Sequence, residues 1–348
     1  MRRSFDGVPV PNSRFIVRVV DGHTTSKMTV IDAYTHVLTE EFYETLLEEY
    51  DFQGLSGDPS FLWNVERRLD HMDEFGVDKQ VLTLALPPLW RGMDDETALE
   101  LTRLANDELR GIADEHPDRF IPVGTVPRAS DAFLAEFDRC VDDLDMAGVQ
   151  IFSNIEGEPL DRPRFHGLFE RAERHDAPLW MHPQLYEWTP YASEYMEHRL
   201  FGWPFDTTLA LSRLVFGGVV QAYDFDLLAH HGGGMVPFYG GRIDSFYQTR
   251  LDYPENYADT DLPDLDQPVS DYFREFHVDT AVSGSVPAHD CAHSFFGDDN
   301  VVFGTDYPFG PGRGRAWIES GLDAVDQMRA DDDARAGILG GNLQRLVD

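Results

Sequence analysis

The stretch Asp226-Leu-Leu-Ala-His-His-Gly-Gly-Gly-Met-Val-Pro-Phe-Tyr-Gly-Gly-Arg242 decides how the chain is read. Leu227, Leu228 and Ala229 form a short apolar run of the kind found in a buried strand. The run delivers His230 and His231 into three glycines, which let the backbone turn sharply and approach a ligand closely. A histidine leaving a buried strand into such a turn suits acid–base or metal chemistry at a strand's carboxyl end. A packed core histidine beside an ordinary turn is the competing reading of these residues alone.

Working outward, seven further apolar segments match this one: Thr29–Asp32, Gln80–Leu86, Phe120–Val126, Val149–Ser153, Pro178–Met181, Phe276–Asp279 and Val301–Gly304. Helical patterns lie between them at Phe61–Phe75, Glu96–Glu115, Asp131–Met146, Arg164–His175, Thr207–Ala222 and Ile318–Met328. Strand alternating with helix implies a parallel sheet, and eight repeats imply an α/β fold closed as a (β/α)8 TIM barrel. Asp333–Val347 is expected to be a C-terminal closing helix, and Asp252–Pro268 an excursion after the sixth strand. An open doubly wound sheet is the alternative, but no GxGxxG follows the first strand. Residues 1–27 are polar and read as a flexible N-terminal extension or an over-extended gene start. Residues 28–348 read as one barrel domain.

The 348 residues carry 63 Asp and Glu against 28 Lys and Arg, for a net charge of −35. Nucleic acid and anionic membranes are therefore poor partners on electrostatic grounds. Lys27 and Lys79 are the only lysines, and such an acidic, lysine-poor surface fits a halophilic protein kept soluble at high salt. Cys140 and Cys291 are too few for a disulfide scaffold, and no apolar run approaches a membrane span. A cytoplasmic setting is expected.

In a barrel, catalytic groups come from the carboxyl ends of different strands. Here those ends carry Asp32-Ala33-Tyr34-Thr35-His36, Trp180-Met181-His182-Pro183, His230-His231 and Gly304-Thr305-Asp306-Tyr307-Pro308. Alternation places Asp32, Tyr34 and His36 on one side of the first strand. His36, His182 and Asp306, with His231 as a further candidate, would suit one zinc or manganese ion with an open position. Any one of these pieces could be a packed corner or a capped turn; their agreement in place and ligand type is what favours chemistry.

The chain resembles the amidohydrolase-related TIM barrels of the aminocarboxymuconate-semialdehyde decarboxylase type. The resemblance is carried by VIDAYTH, HMDEFGVDKQVL, ANDELRGIADEHPDRFIPVGTVP, GVQIFSNIEGEPLDRPRF, PLWMHP, HHGGGMVPFYGGRID, VVFGTDYPFG and ILGGNLQRLV, across residues 28–347. It implies that His182 and Asp306 are metal ligands and that His231, directly before the glycines, handles the reactive proton or water. His230 is then expected to be structural. Arg242 matches an arginine that grips a substrate carboxylate, often across a dimer interface, so a homodimer is implied. Trp90, Trp188 and Phe309 are candidates for an apolar wall against a planar ring, and Asp279 for orienting a ligand from outside.

One departure stands out. The family's first strand carries His-x-His or Glu-x-His, whereas this chain has Tyr34-Thr35-His36. A phenol titrates near pH 10 and is a poor ligand until ionised. Three outcomes follow: a site of His36, His182 and Asp306; a Tyr34 phenolate ligand; or a lost metal. The first is favoured, with the Tyr34 hydroxyl serving catalysis by a hydrogen bond to substrate or water. The expected activity is metal-dependent non-oxidative decarboxylation of a small unsaturated or aromatic carboxylic acid. Hydrolysis of a lactone or amide, or a degenerate binding barrel, are the alternatives.

Overall fold

Every principal strand runs parallel to its neighbours in the computed structural model, which describes residues 28–49, 57–85, 92–184, 194–257, 262–263 and 265–347. In chain order the elements are β1 (Ile31–Val37), α1 (Glu40–Glu49), α2 (Val65–Phe75), β2 (Lys79–Leu84), α3 (Asp95–Glu115), β3 (Phe120–Pro122), β4 (Gly124–Thr125), α4 (Asp131–Asp142) and β5 (Val149–Phe152). A small hairpin, β6 (Asn154–Ile155) and β7 (Glu158–Pro159), precedes α5 (His166–His175) and β8 (Leu179–His182). Then come α6 (Trp203–Phe216), α7 (Val219–Ala222), β9 (Leu227–Ala229), α8 (Val236–Asp252), α9 (Val269–Arg274), β10 (His277–Asp279) and α10 (Val286–Phe296). The chain ends with β11 (Val301–Val302), α11 (Arg315–Gln327), α12 (Asp332–Ala336) and α13 (Asn342–Val347).

The sheet order is β1-β2-β3 in one ladder and β4-β5-β8-β9-β10-β11 in the other. Only Val123 separates β3 from β4, and its amide donates to Leu82 O at 3.1 Å. At the other margin, Ala33 N donates to Phe303 O (2.7 Å), His36 N to Tyr307 O (2.6 Å) and Asp306 N to Tyr34 O (3.1 Å). The expected single closing helix is broken: Gly337–Gly341 forms a wider helical turn between α12 and α13. The excursion expected at Asp252–Pro268 contains a helical turn at Pro254–Tyr257.

Strands buried on both faces give continuous apolar runs, and β1 and β8 are buried along their whole length. One apolar group lies among the strands: Ile31, Ala33, Tyr34, Val81, Val123, Trp180, Leu228, Val302 and Leu343. The larger group lies between strands and helices and is rich in phenylalanine, including Phe133, Phe137, Phe169 and Phe273. Helix starts follow side-chain chemistry: Asn64 Oδ1 accepts Arg67 N (2.8 Å) before α2, and Asp94 Oδ1 accepts Thr97 N (2.9 Å) before α3.

Beneath His36 lies a buried polar network. Arg68, on α2, donates to Thr35 Oγ1 (2.9 Å), Gln80 Oε1 (3.0 Å) and the His36 carbonyl. Asp32 accepts from Thr305 N (3.0 Å) and Thr305 Oγ1 (2.6 Å). The β1–β2 register shifts between Asp32 and Thr35, so strict alternation fails here. Asp32 joins the network with Thr305 and Gln80, while Tyr34 and His36 meet the histidines of the site.

Trp180 is fully buried, and its Nε1 donates to Ala33 O at 3.0 Å. Its ring also lies where a side chain on Gly148 would have to go, 2.5 Å from an added Cβ. Replacing Trp180 with Ala is expected to lower unfolding stability by about 3–5 kcal/mol, measured by urea denaturation. A loss under about 1 kcal/mol would show that the inter-strand group is not a close-packed core.

Candidate metal centre

Three histidine rings from three strand ends converge. His36 and His182 lie 5.0 Å apart by ring centroid, His36 and His230 5.7 Å, and His182 and His230 5.7 Å. One nitrogen from each lies within 4.8 Å of the others, and a second group of the same spacing joins His230, His231 and Asp306. His36 Nε2 is 3.1 Å from Asp306 Oδ1, and His230 Nε2 is 3.5 Å from the same oxygen.

The outer nitrogen of each ring is committed. His182 Nδ1 lies 2.7 Å from Pro183 O, which can only accept, so Nδ1 carries the proton. The Thr83 hydroxyl donates to Thr35 O (2.8 Å) and so accepts from His36 Nδ1 at 2.9 Å. His230 Nδ1 donates to Asp279, whose other oxygen accepts Gly232 N and Ala281 N, both at 3.0 Å. This network fixes the tautomers and turns the Nε2 atoms of all three rings toward the centre. His36 Nε2 and His230 Nε2 are buried and have no hydrogen-bond partner. Two buried, unpartnered nitrogens beside a partly exposed carboxylate are what a divalent cation would satisfy, so these residues fit one.

Local backbone explains how the side chains reach the centre. His230 is extended (φ −75°, ψ 161°), and His231 switches to the left-handed region (φ 59°). Gly232, Gly233 and Gly234 continue at positive φ, and a Cβ on Gly233 would sit 2.8 Å from Phe296. Asp306 also has a positive φ of 65°. Left-handed backbone at non-glycine residues costs on the order of 1–3 kcal/mol each and persists where its surroundings hold it.

Burial alone would push His230 down, but the charge of Asp279 and its hydrogen bond, reinforced by Asp306, hold it up to about 9. Burial favours a protonated Asp306, yet its contacts with His230 and His36 hold it well below the usual carboxylate range. Burial, then the neighbouring imidazoles, drives His182 well down; His36 is also lowered by burial. Burial and the charge of His230 push His231 down to about 3, leaving it neutral. Tyr34 is raised well above 10 by burial and by Asp279 and Asp306, so the phenol keeps its proton.

The expected trio of His36, His182 and Asp306 does not form one close group: His36 and His182 group with His230, whereas Asp306 groups with His230 and His231 and lies 3.1 Å from His36 Nε2. His231 stands beside the group, its ring 3.8 Å from His230 and stacked 6.4 Å from Trp203, with a buried, unpartnered Nδ1. His230, expected to be structural, belongs to both close groups; the left-handed turn falls after it, leaving its ring on the inner side. Tyr34 stacks face to face on His230, with centroids 4.0 Å apart and planes 11° apart. Phe309 lies 5.7 Å from the His36 ring, and Asp279 does orient a histidine. Arg242 is not brought to the cluster: it lies over Phe246 (4.3 Å) in a groove of about 590 Å³ with Phe216, Tyr239 and Tyr247. Trp90 and Trp188 lie outside the described residues. Sequence reasoning missed Trp203, Thr83 and Arg68, which come from distant elements and match no local pattern.

This centre of imidazoles and a carboxylate at the ends of parallel strands defines a metal-binding α/β protein. A family profile described as amidohydrolase matches residues 31–348, and the chain belongs to that family. It is 28% identical over 341 residues to a 2-amino-3-carboxymuconate-6-semialdehyde decarboxylase of Dictyostelium discoideum, covering 91% of each chain. Among solved structures it resembles the 5-carboxyvanillate decarboxylase of Sphingomonas paucimobilis (TM-score 0.79, 24% identity, 92% of this chain and 99% of that one). It likewise resembles that of Novosphingobium aromaticivorans complexed with manganese and a nitrobenzoic acid (TM-score 0.78, 23% identity, 92% and 96%). No described helix is long and apolar enough to cross a membrane.

His230 binds its proton more tightly in the folded chain than in the unfolded one, where imidazole titrates near 6.5. Its stabilisation is therefore complete below about pH 6.5 and lost as pH rises through about 9. The urea midpoint of metal-free protein is expected to fall between about pH 7.5 and 9.5, and His230→Gln to flatten that fall. A flat wild-type profile would mean that His230 is neutral.

Proposed function

We propose that this chain is a metal-dependent non-oxidative decarboxylase of a small unsaturated or aromatic carboxylic acid. The observation that carries the reading is the convergence of His36, His182 and His230 Nε2 beside Asp306. We further read the two ladders as one closed (β/α)8 barrel, a single domain over residues 28–348. The hydrogen bonds from β1 to Phe303 and Tyr307 support closure. Leu343 on α13, grouped with Ile31 and Val81, supports a closing role for the last helices.

In this reading His36, His182 and Asp306 hold one divalent ion, zinc as the nitrogen-rich set suggests, with manganese the alternative. When bound, the ion supplies fixed positive charge that binds substrate oxygens and stabilises negative charge developing on the substrate. The chain's own groups do the rest. Phe309 and Trp203 wall a planar ring. His231, partly exposed next to Asp306, relays to the ring carbon a proton drawn from solvent as the carbon–carboxylate bond breaks. The bond's electron pair stays on that carbon, carbon dioxide leaves, and the proton takes its place. Trp90 and Trp188 are retained as substrate contacts, and Tyr34 as a catalytic-site hydroxyl.

Metal-loaded protein incubated with aryl and dienyl carboxylates is expected to release carbon dioxide, and a chelator to abolish the release. His231→Ala should lower kcat by about 100- to 10,000-fold, the range for loss of a general acid–base group. Acid release from a lactone panel without carbon dioxide would instead mark a hydrolase. Silence on both panels would mark a binding module.

We also propose a homodimer in a salt-rich cytoplasm. Phe201 (64% exposed) precedes α6, Phe238 (74%) and Phe246 (50%) lie on α8, and Arg242 forms no ion pair among the described residues. Such large exposed aromatics suit a second copy, which would bring Arg242 to a substrate carboxylate. Light scattering at high potassium chloride should give two chains per particle. Arg242→Ala should raise KM for the carboxylate by about 10-fold or more. A monomer with an unaffected Arg242 variant would remove this proposal.

A further inference from the structure

We propose that His230 is itself a metal ligand, occupying the coordination position that Tyr34 on the first strand does not fill. This rests on the metal-dependent reading above and assigns the doubled histidine a purpose: His230 binds the ion and His231 carries the proton.

Tyr34 is fully buried, its hydroxyl has no hydrogen-bond partner, and its ring lies flat on His230. It is a plate under the imidazole. Asp279 fixes the same ring at Nδ1, and Asp279 is itself held by Gly232 N and Ala281 N. A ring pinned at one nitrogen and across one face has one free direction, and there Nε2 finds His36, His182 and Asp306.

The spacing is that of shared coordination. Two donors each about 2.0–2.1 Å from one ion, at angles near 90–110°, stand about 3.0–3.4 Å apart. Asp306 Oδ1 stands 3.1 Å from His36 Nε2 and 3.5 Å from His230 Nε2. Neither contact has hydrogen-bond alignment, since both nitrogens remain unpartnered. The close group built around His230 is His36, His182 and His230, with Asp306 Oδ1 beside His36 and His230, and with Tyr34 and Asp279 as positioning residues.

Calorimetric titration of zinc into metal-free full-length chain tests this, with folding of each variant checked by circular dichroism. His230→Gln and His230→Ala should each weaken zinc binding by more than about 100-fold, beyond the roughly 10–100-fold expected for Asp279→Asn, which acts only through the His230 ring it holds. Tyr34→Phe should keep affinity within about 3-fold, because the protonated phenol donates nothing to the ion. His231→Ala should bind zinc as wild type does. In cobalt-substituted protein, His230→Gln should shift the visible d–d bands, whereas Tyr34→Phe should leave them in place. If both His230 variants bind zinc as tightly as wild type while His36→Ala does not, this proposal is overturned and the metal-dependent reading stands. If Tyr34→Phe loses the metal instead, the ligand is Tyr34. If the wild-type chain takes up neither zinc nor manganese, the metal-dependent reading itself fails.

Discussion

Commitment of the outer ring nitrogens is the constraint on which the centre depends. A neutral imidazole has one proton and one lone pair, so whatever accepts at Nδ1 decides what Nε2 can do. Pro183 O, the Thr83 hydroxyl and Asp279 each take the Nδ1 proton of one histidine. The lone pairs of His36 and His182 are thereby aimed at one place before any ligand arrives, and His230 Nε2 joins them when an ion displaces its second proton. Without these acceptors the rings could flip, and the same residues would offer the centre a mixture of donors and acceptors.

The acceptors are themselves anchored by the sheet. Thr83 is on β2, Pro183 directly follows β8 and Asp279 ends β10, so the parallel ladder that sets the strands' spacing also sets the histidines' tautomers. Arg68 extends the same logic one layer down. Its guanidinium ties the His36 carbonyl to Thr35 and Gln80, and its burial is offset by those bonds and by stacking 4.7 Å over Tyr307. Catalytic precision at the rim is thus built from polar contacts inside the ladder, where water does not compete.

The strands were legible because burial on both faces leaves continuous apolar runs, and His36, His182, His230 and Asp306 stood out as polar residues at or just beyond the strand ends. Helices α3, capped by Asp94, and α4 were legible from their apolar faces. Helix α8 was not: Gly240 and Gly241 interrupt it, and its pattern has no clean apolar stripe, because one side is covered by α10 while Phe238 and Phe246 stay exposed. Helix α10, opening on Pro287 and containing His289 and His293, hid similarly. The β1 register shift could not be read either, since a bulge leaves no signature in IDAYTHV.

The histidine pair illustrates where local pattern stops and geometry begins. Position before a glycine run singled out His231, but which of two adjacent side chains points inward depends on where the backbone leaves the extended region. It does so at His231, so His230 keeps the strand's inward orientation while His231 is turned toward Trp203. That single change of φ separates the two rings into different electrostatic settings. His230, between Asp279 and Asp306, is raised to about 9; His231, beside that charge, is lowered to about 3. Two adjacent residues of one type thereby acquire different electrostatic settings, one paired with carboxylates and the other set beside a cationic neighbour.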